Sequence, residues 1–265
     1  DYIVHGGDRL GLYYYEESAA LRSSSIVYDR EDSSITTIKS GMIDWKKTFC
    51  ETRLFHWSGI SSAVSQGAAD ATNEAVEEAE REGITISCDI NHRANLWKYG
   101  KDAHDVLLPI AQKSDIVFGT ADEWKLITGI TPPDFKATTP DYPIDGAAYE
   151  EYFRKASKIL PKAKKMIVAL RNTLSANHHL LSGVIFADGK LYTTRIYDID
   201  DVLDPMGVGD AFIAAYLHAH LKYGDDNQRC LNFSLAASAL KNTILGDFNL
   251  STEQEVEYLM NGFEE

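Results

Sequence analysis

The stretch that decides the fold class lies at residues 54–90 and reads LFHWSGISSAVSQGAADATNEAVEEAEREGITISCDI. Its first five residues are mostly apolar and predict a short strand. The polar and alanine-rich stretch that follows predicts a long helix, which Ser61 or Ser62 is placed to cap and Gly83 to end. Apolar and polar residues then alternate over 84–90, as a strand requires. Strand, helix and strand in this order predict a parallel βαβ unit.

The same alternation continues toward the C-terminus and predicts an α/β/α three-layer fold around a mostly parallel sheet. Asp188-Gly189 is a hairpin signal between two apolar runs. A proline-rich stretch at 131–146 interrupts the pattern, and we expect it to be a mobile surface excursion. Ser251 with Gln254 is placed to form a capping box for the last helix. The predicted elements are helices at 102–112, 121–128 and 147–160 and strands at 115–119, 166–170, 180–187 and 190–197.

The first forty residues differ from the rest of the chain. The segments RLGLYYYE at 9–16 and SSIVYDR at 24–30 are rich in aromatic and β-branched residues, with a polar stretch between them. They predict two paired strands that form a small sheet or lid. We therefore expect a lid over residues 1–40 and an α/β domain over 41–265.

Composition excludes several classes of protein. The chain has 265 residues, a hydrophobic fraction of 44% and a net charge of −14. This charge repels nucleic acids and anionic membrane surfaces, so neither is expected as a partner, and an anionic substrate must meet local arginines. The three cysteines are widely spaced and suggest neither a disulfide framework nor a zinc site. Together with the lack of a long apolar run or a signal peptide in this sequence, they predict a cytoplasmic protein.

A glycine-spaced turn runs into an apolar helix in the stretch DPMGVGDAF at 204–212. Glycines allow backbone N–H groups to approach a ligand closely, and a helix N-terminus favours a bound anion. Asp210 in the first helical turn could accept a proton from a hydroxyl group. The segment therefore predicts phosphoryl transfer to an alcohol. The alternative is an ordinary glycine turn, in which Asp210 only favours the helix dipole.

This segment resembles the C-terminal signature of the PfkB (ribokinase-like) carbohydrate kinases. That signature reads Asp, Ser or Thr, any residue, Gly, Ala, Gly, Asp, any residue, Phe. The chain departs from it at Pro205 and Val208, and neither change removes the backbone amides. The resemblance implies a ribokinase-like fold, with Asp210 as general base and an anion hole formed by the amides of Gly207, Val208, Gly209 and Asp210. The residues that match are Asp204, Gly207, Gly209, Asp210 and Phe212.

Within this family the chain resembles the 2-keto-3-deoxygluconate kinases more closely than the PfkB group in general, and this resemblance extends over nearly its whole length. The segments GLY at 11–13, YDR at 28–30, DINHR at 89–93 and the late pair GD at 246–247 carry this resemblance. It implies a sugar-acid substrate, whose carboxylate two arginines could bind. A surface ion pair is the alternative for each arginine, and packing or a dimer contact is the alternative for the tyrosines. The implied substrate-binding residues are Tyr13, Tyr28, Arg30, Asn91, Arg93 and Asp247.

The resemblance also implies ATP and Mg²⁺, and it leaves a monovalent cation open. TADE at 120–123 corresponds to the family's Asn-x-x-Glu, and Glu123 would act on magnesium or phosphate through water. A helix N-terminal acid is the alternative explanation of Glu123. The stretch RNTLS at 171–175 lacks the Gly-x-x-Gly of the family's nucleotide loop. The implied nucleotide-binding residues are Thr120, Glu123, Arg171, Asn172, Thr173 and Ser175.

The resemblance as a whole predicts ATP-dependent phosphorylation of 2-keto-3-deoxygluconate at its terminal hydroxyl. One alternative is a kinase of the same family that acts on a neutral ketose or a nucleoside. The other is a relative that binds a sugar acid or a partner but catalyses no reaction. Compared with relatives, we expect the sequence to lack an N-terminal portion that supplies the first strands, a glycine-rich sugar-binding segment and the other part of the lid. On this expectation it is either a fragment or a shortened variant. The aromatic strand at 9–16 would be a poor exposed edge, so we expect a homodimer or a higher homo-oligomer.

Overall fold

The structure is a computed structural model that describes residues 3–17, 22 and 24–262. The chain divides into two compact units. The first combines the chain up to residue 16 with 26–131 and 154–166, and the second combines 17–25 with 132–153 and the chain from 167 onward. The boundary expected at residue 40 stays a prediction. No helix in the described part of the chain is both long and apolar enough to cross a membrane.

The first unit contains the lid strands and the predicted βαβ unit. Its strands are β1 (Leu12–Glu16), β2 (Ser25–Asp29), β3 (Leu54–Ser58), β4 (Thr85–Asp89) and β5 (Ile116–Gly119). Its helices are α1 (Ser34–Thr37), α2 (Trp45–Thr48), α3 (Gly59–Ala63), α4 (Gln66–Arg81), α5 (Ala103–Ala111) and α6 (Ala121–Thr128). The strands β1 and β2 pair in a two-stranded sheet, as the sequence predicts.

The strands β3, β4 and β5 are adjacent and parallel, as the alternation predicts. The register places Ser58 opposite Asp89, and Asp89 opposite Phe118. Because the carboxyl ends of parallel strands lie at one edge of a sheet, the loops that follow these three strands meet there. Fully buried apolar side chains below this edge form the core of the unit, among them Ile86, Leu107, Ile116, Trp124 and Ile127.

The long helix predicted between β3 and β4 is in fact two helices, α3 and α4. Ser65 lies between them with an extended backbone, so the helix cannot continue through it. Its hydroxyl oxygen accepts a hydrogen bond from the N–H of Ala68 at 3.1 Å, which makes Ser65 the N-cap of α4. The prediction of Ser61 or Ser62 as the cap is therefore wrong. Gly83 follows α4 with φ at +69°, as its predicted role requires.

The second unit contains the predicted hairpin and the glycine turn. Its strands are β6 (Lys165–Ser175), β7 (His178–Ala187), β8 (Lys190–Thr193) and β9 (Tyr197–Ile199), with β6 beginning just before the division. Helix α7 (Gly146–Ile159) crosses the division, and the other helices are α8 (Val208–Tyr223), α9 (Asn227–Lys241) and α10 (Glu253–Met260). Both β8 and β9 pair with β7 in antiparallel fashion.

The turn between β7 and β8 has positive φ at both central residues, 53° at Asp188 and 73° at Gly189. This is the geometry that a two-residue hairpin requires, and it confirms the predicted hairpin. The strand predicted at 190–197 is divided into β8 and β9, because Thr194 uses its hydroxyl oxygen to accept the N–H of Gly183 at 2.9 Å. The last helix is capped one residue later than predicted, by Thr252 with Glu255.

The proline-rich stretch at 131–146 is irregular, as predicted, but it is not only a surface excursion. Ala137 is fully buried in a small apolar cluster with Leu180 and Ile196. The hydroxyl of Tyr149 donates a hydrogen bond to the carbonyl of Pro133 at 2.9 Å. The prolines restrict the backbone, while the apolar side chains between them still reach a core. The predicted mobility stays a prediction.

Candidate active site

Asn91 lies just beyond β4 and is the centre of a polar group that we call the Asn91 cluster (Ser58, Asn91, His92, Thr120 and Glu123). Asn91 is 8% exposed and has φ at +39°, a conformation that asparagine tolerates better than most residues. Its Nδ2 donates to the Ser58 hydroxyl at 2.9 Å. Its Oδ1 is buried without a hydrogen-bond partner among the described residues. A buried acceptor of this kind is suited to a ligand hydroxyl.

Glu123 holds the loops after β4 and β5 together through both carboxylate oxygens. Oε1 accepts the backbone N–H of His92 at 2.9 Å. Oε2 accepts the backbone N–H of Thr120 at 2.8 Å and its hydroxyl at 2.9 Å. Thr120 in turn caps α6, so the two residues form a capping box. The arrangement favours the alternative of Glu123 as a helix N-terminal acid, and its predicted magnesium role stays a prediction.

We expect Glu123→Ala to destabilise the protein by about 1–3 kcal/mol, because the backbone N–H groups of His92 and Thr120 lose the charged carboxylate that accepts their hydrogen bonds. Urea denaturation would measure this free energy of unfolding. Glu78→Ala is the matched control, since Glu78 pairs only with the exposed Arg81 on α4 among the contacts described. Equal stabilities of the two variants would contradict the bridging role of Glu123.

The two predicted substrate arginines have different surroundings. Arg93 Nη1 lies 3.9 Å from Glu123 Oε1, and its side chain is 43% exposed, so this ion pair is weak. The Arg30 guanidinium lies over the Tyr28 ring at 5.4 Å from its centroid, which orients it. Its Nε is buried without a hydrogen-bond partner in the part of the chain that the structure describes. Tyr13 lies on β1 and is 37% exposed.

The glycine turn before α8 has the form that the motif predicts. Gly207 is the N-cap of α8 with φ at +72°. Its carbonyl accepts the N–H of Ala211 at 2.8 Å, which is the first hydrogen bond of the helix. The N–H groups of Val208, Gly209 and Asp210 precede this bond in the first turn, where helix geometry provides no acceptor within the helix. We call the main chain of residues 207–210 the anion cradle.

The two glycines of the anion cradle, Gly207 and Gly209, differ in the space around them. A Cβ atom on Gly207 would lie 2.0 Å from the carbonyl oxygen of Asp247, so only glycine fits there. A Cβ atom on Gly209 would meet nothing within 4 Å. The protein's own packing therefore does not explain Gly209, whereas a ligand that approaches the main chain would. Asp210, the next residue, is exposed in the first turn of α8.

Asp204 lies beside the anion cradle, although the sequence analysis did not place it in the site. It is 5% exposed, and its two oxygens bind different loops. Oδ1 accepts the N–H of Met206 at 2.9 Å, and Oδ2 accepts the N–H of Gly246 at 2.8 Å. Asp204 thus holds the loop before α8 against the late Gly-Asp pair. The sequence feature that could have identified Asp204 is its position as the first residue of the PfkB signature.

The predicted nucleotide loop at 171–175 is not a loop, because β6 continues to Ser175. The strand prediction that ended at residue 170 is therefore wrong. Without glycine, nothing in RNTLS breaks the extended backbone. Asn172 Nδ2 donates to the carbonyl of Ala137 at 2.8 Å, while Arg171, Thr173 and Ser175 are exposed. Their predicted contacts with nucleotide stay predictions.

In each unit the structure brings some of the predicted residues together. In the first unit, Asn91, Arg93, Thr120 and Glu123 surround one strand edge. In the second unit, the late Asp247 lies directly against Gly207 of the anion cradle. The residues that the sequence analysis missed are Ser58, which positions Asn91, and Asp204.

Comparison with known proteins agrees with this arrangement. The model of the pfkB family carbohydrate kinases matches residues 1–251. The structure is similar to that of 2-dehydro-3-deoxygluconokinase from Thermotoga maritima, with a TM-score of 0.88 and 32% identity over 99% of this chain and 77% of that one. This similarity confirms the predicted fold class.

Two curated proteins are also similar in sequence. The 2-dehydro-3-deoxygalactonokinase of Haloferax volcanii is 27% identical over 96% of this chain and 71% of its own length. The 2-dehydro-3-deoxygluconokinase of Thermoproteus tenax is 25% identical over 97% of this chain and 70% of its own length. Both names describe kinases that act on a 2-dehydro-3-deoxy sugar acid.

Proposed function

Since the chain belongs to the pfkB family of carbohydrate kinases, we propose that it phosphorylates the terminal hydroxyl of a keto-deoxy sugar acid. It is an ATP-dependent sugar kinase related to the 2-keto-3-deoxy sugar kinases. The proposed substrate is 2-keto-3-deoxygluconate, and the proposed product is its 6-phosphate.

The observation that carries the proposed chemistry is the open space beside Gly209 in the anion cradle. Helix N-termini favour anions, and a residue without a side chain allows a phosphate to reach the backbone amides. The left-handed Gly207 begins α8 at this point, so the amides of the first turn are presented together. These residues fit the phosphates of a nucleotide and a transferring phosphoryl group.

In the proposed reaction Asp210 accepts the proton of the sugar hydroxyl as that oxygen attacks the γ-phosphorus of ATP. A bond forms between the sugar oxygen and phosphorus, while the bond to the β–γ bridging oxygen breaks and ADP leaves. The amides of Gly207, Val208, Gly209 and Asp210 stabilise the negative charge that develops. Magnesium bound with the nucleotide would neutralise part of the phosphate charge. Glu123 is the proposed residue for its hydration shell.

Recognition of the sugar acid is assigned to residues on and after the lid strands, to residues that follow β4, and to Asp247. Arg30 and Arg93 would bind the carboxylate, since a guanidinium group offers several donors in one plane. The Oδ1 of Asn91, which has no hydrogen-bond partner within the described part of the chain, would accept a sugar hydroxyl. Tyr13 and Tyr28 would pack against the sugar, and Tyr28 also orients Arg30. Asp247 is proposed as a further substrate contact.

A coupled assay of ADP release tests the substrate class. The purified protein would be offered 2-keto-3-deoxygluconate, 2-keto-3-deoxygalactonate, fructose, ribose and a nucleoside in parallel. We expect kcat/KM to be highest for one of the two acids. A higher value for a neutral sugar or a nucleoside would favour the neutral-substrate alternative. ADP release with none of them, together with sugar-acid binding in a calorimeter, would favour the silent relative.

Replacement of Arg30 by methionine tests carboxylate recognition. We expect affinity for the sugar acid to fall about 10- to 100-fold, because a hydrogen bond to a charged group contributes about 1.5–3 kcal/mol. Isothermal titration calorimetry would measure the affinity. Arg81→Met on α4 is the matched control, and fructose is the control ligand for both variants. Unchanged affinity for the acid in Arg30→Met would contradict the assignment.

The lid strands support a proposed homodimer. Leu12, Tyr14 and Val27 are 48%, 60% and 62% exposed on this small sheet. Apolar strands of this kind are covered in most soluble proteins, and a two-fold axis lets one lid cover another. Light scattering after gel filtration should give twice the monomer mass for the wild type. Tyr14→Lys with Val27→Lys should give the monomer mass, and an unchanged mass would contradict this interface.

A further inference from the structure

Lys241, the last residue of α9, is a charged side chain that the proposed reaction does not use. It is 0% exposed, although most lysines reach solvent. Its ammonium Nζ donates to the carbonyl of Ile244 at 2.8 Å. A buried ammonium group is costly unless polar and charged neighbours compensate for the water that it loses. The groups around Lys241 therefore indicate the role of its positive charge.

The compensating charges come from two aspartates. Burial lowers the pKa of Lys241, and the attraction of the Asp204 and Asp247 carboxylates raises it in opposition. Both aspartates belong to the same unit as Lys241. Asp204 lies in the loop before α8, and Asp247 lies in the segment 244–247, which we call the late loop. The ammonium group thus acts on both loops at once.

These two loops build the anion cradle. The late loop lies so close to Gly207 that a Cβ atom there would be 2.0 Å from the Asp247 carbonyl oxygen. Asp204 binds the N–H of Gly246 in the late loop at 2.8 Å. The backbone N–H of Asp204 itself donates to the carbonyl of Asn242 at 3.2 Å, directly after Lys241. The C-terminal end of α9, the loop before α8 and the late loop therefore form one hydrogen-bonded assembly.

We propose that Lys241 is a positioning residue, a fixed internal cation that holds the late loop against Gly207 and so keeps the anion cradle in its reactive geometry. The inference rests on the proposed role of the cradle in phosphoryl transfer. The ammonium group fixes the late loop through the Ile244 carbonyl and balances the two carboxylates. A neutral side chain of the same length would fill the space but remove the positive charge that attracts the Asp204 and Asp247 carboxylates.

Lys241→Met is the first test, because methionine retains an unbranched apolar stem without the charge. We expect kcat to fall about 10- to 100-fold, since small displacements of catalytic groups cost up to about 10²-fold. The KM for the sugar acid should change less than kcat, because Asp247 is the one residue proposed to bind the acid that lies in the late loop. The matched control is Lys222→Met on α8, which removes an exposed lysine that pairs with Glu257. It should leave kcat unchanged.

Chemical rescue separates a need for charge from a need for packing. Lys241→Ala removes three carbons and the ammonium group, so propylammonium matches the missing part. We expect propylammonium to raise the kcat of Lys241→Ala at least tenfold. Tetramethylammonium at equal ionic strength should restore none, because it has no N–H donor. Rescue would be measured on protein whose folded fraction is determined by circular dichroism.

Hydrogen exchange provides a readout that does not depend on turnover. In Lys241→Met the amides of the late loop should exchange faster than in the wild type, while those of α5 should not change. Unchanged exchange together with wild-type kcat would overturn the proposal. A loss of stability with unchanged kcat per folded molecule, or no rescue by propylammonium, would also overturn it.

Asp210→Asn, assayed in parallel, separates this proposal from the one it rests on. If Asp210→Asn is inactive and Lys241→Met has wild-type kcat, only the role of Lys241 fails. If Asp210→Asn retains full kcat, the proposed role of Asp210 as the general base beside the anion cradle fails. In that case faster exchange of the late loop in Lys241→Met would still support a positioning role for the lysine.

Discussion

Asp210→Asn is expected to lower kcat by about 10²- to 10⁴-fold, the usual contribution of a general base. Asparagine is nearly the same size as aspartate but cannot accept the proton that the attacking hydroxyl must lose. The first turn of α8 retains its geometry, because the helix begins at Gly207 and does not depend on this side chain. The KM for the sugar should therefore change little. A coupled assay of ADP release would measure both constants.

Asp201→Asn is the matched control for this change. Asp201 is exposed and precedes the glycine turn in the same unit, and it has no proposed role in the reaction. Its replacement should leave kcat within about twofold of the wild type, as for most surface substitutions. If Asp210→Asn also retained this activity, Asp210 could not be the base. The alternative of an acid that only favours the helix dipole would then explain the residue.

Gly207→Ala is expected to abolish activity and to destabilise the protein by about 1–3 kcal/mol. The positive φ of 72° is unfavourable for alanine, and the added Cβ atom would lie 2.0 Å from the Asp247 carbonyl oxygen. The loop before α8 and the late loop must separate to admit the methyl group. Urea denaturation would measure the loss of stability, and the coupled assay would measure the loss of turnover.

Gly209→Ala is the informative comparison, since the chemical change is the same. Its Cβ atom would meet nothing within 4 Å, and alanine is favoured over glycine in a helix by up to about 1 kcal/mol. The free energy of unfolding should therefore stay the same or rise. If a phosphate approaches the main chain at this point, kcat should nevertheless fall. A stable variant with wild-type kcat would show that no ligand approaches Gly209 closely.

The parts of the fold that the sequence predicted well carry their determinants locally. Helix α6 begins and ends where predicted, because Thr120 caps it and Gly129 adopts φ of 68° directly after it. The hairpin turn at Asp188-Gly189 is predicted for the same reason. The errors arose where several local signals competed. Three serines precede α4, and only the extended backbone at Ser65 decides which of them is the cap.

The residues of the candidate site differ in the same way, between those with local signals and those with distant partners. Gly207 and Asp210 were found from the motif, since their spacing is a local property. Ser58, Asp204 and Lys241 were not assigned roles, because their partners lie in other segments of the chain. Asp204 and Gly246 are 42 positions apart, and no periodicity in the sequence connects them. Such contacts become visible only when the chain is folded.

The carboxylate of Asp204 connects two segments that are far apart in the sequence, because each of its oxygens binds one of them. One oxygen accepts the N–H of Met206, just before α8, and the other accepts the N–H of Gly246. The segment at 246 is therefore linked to the start of α8 directly through this carboxylate, and not only through the helices that separate them in the sequence.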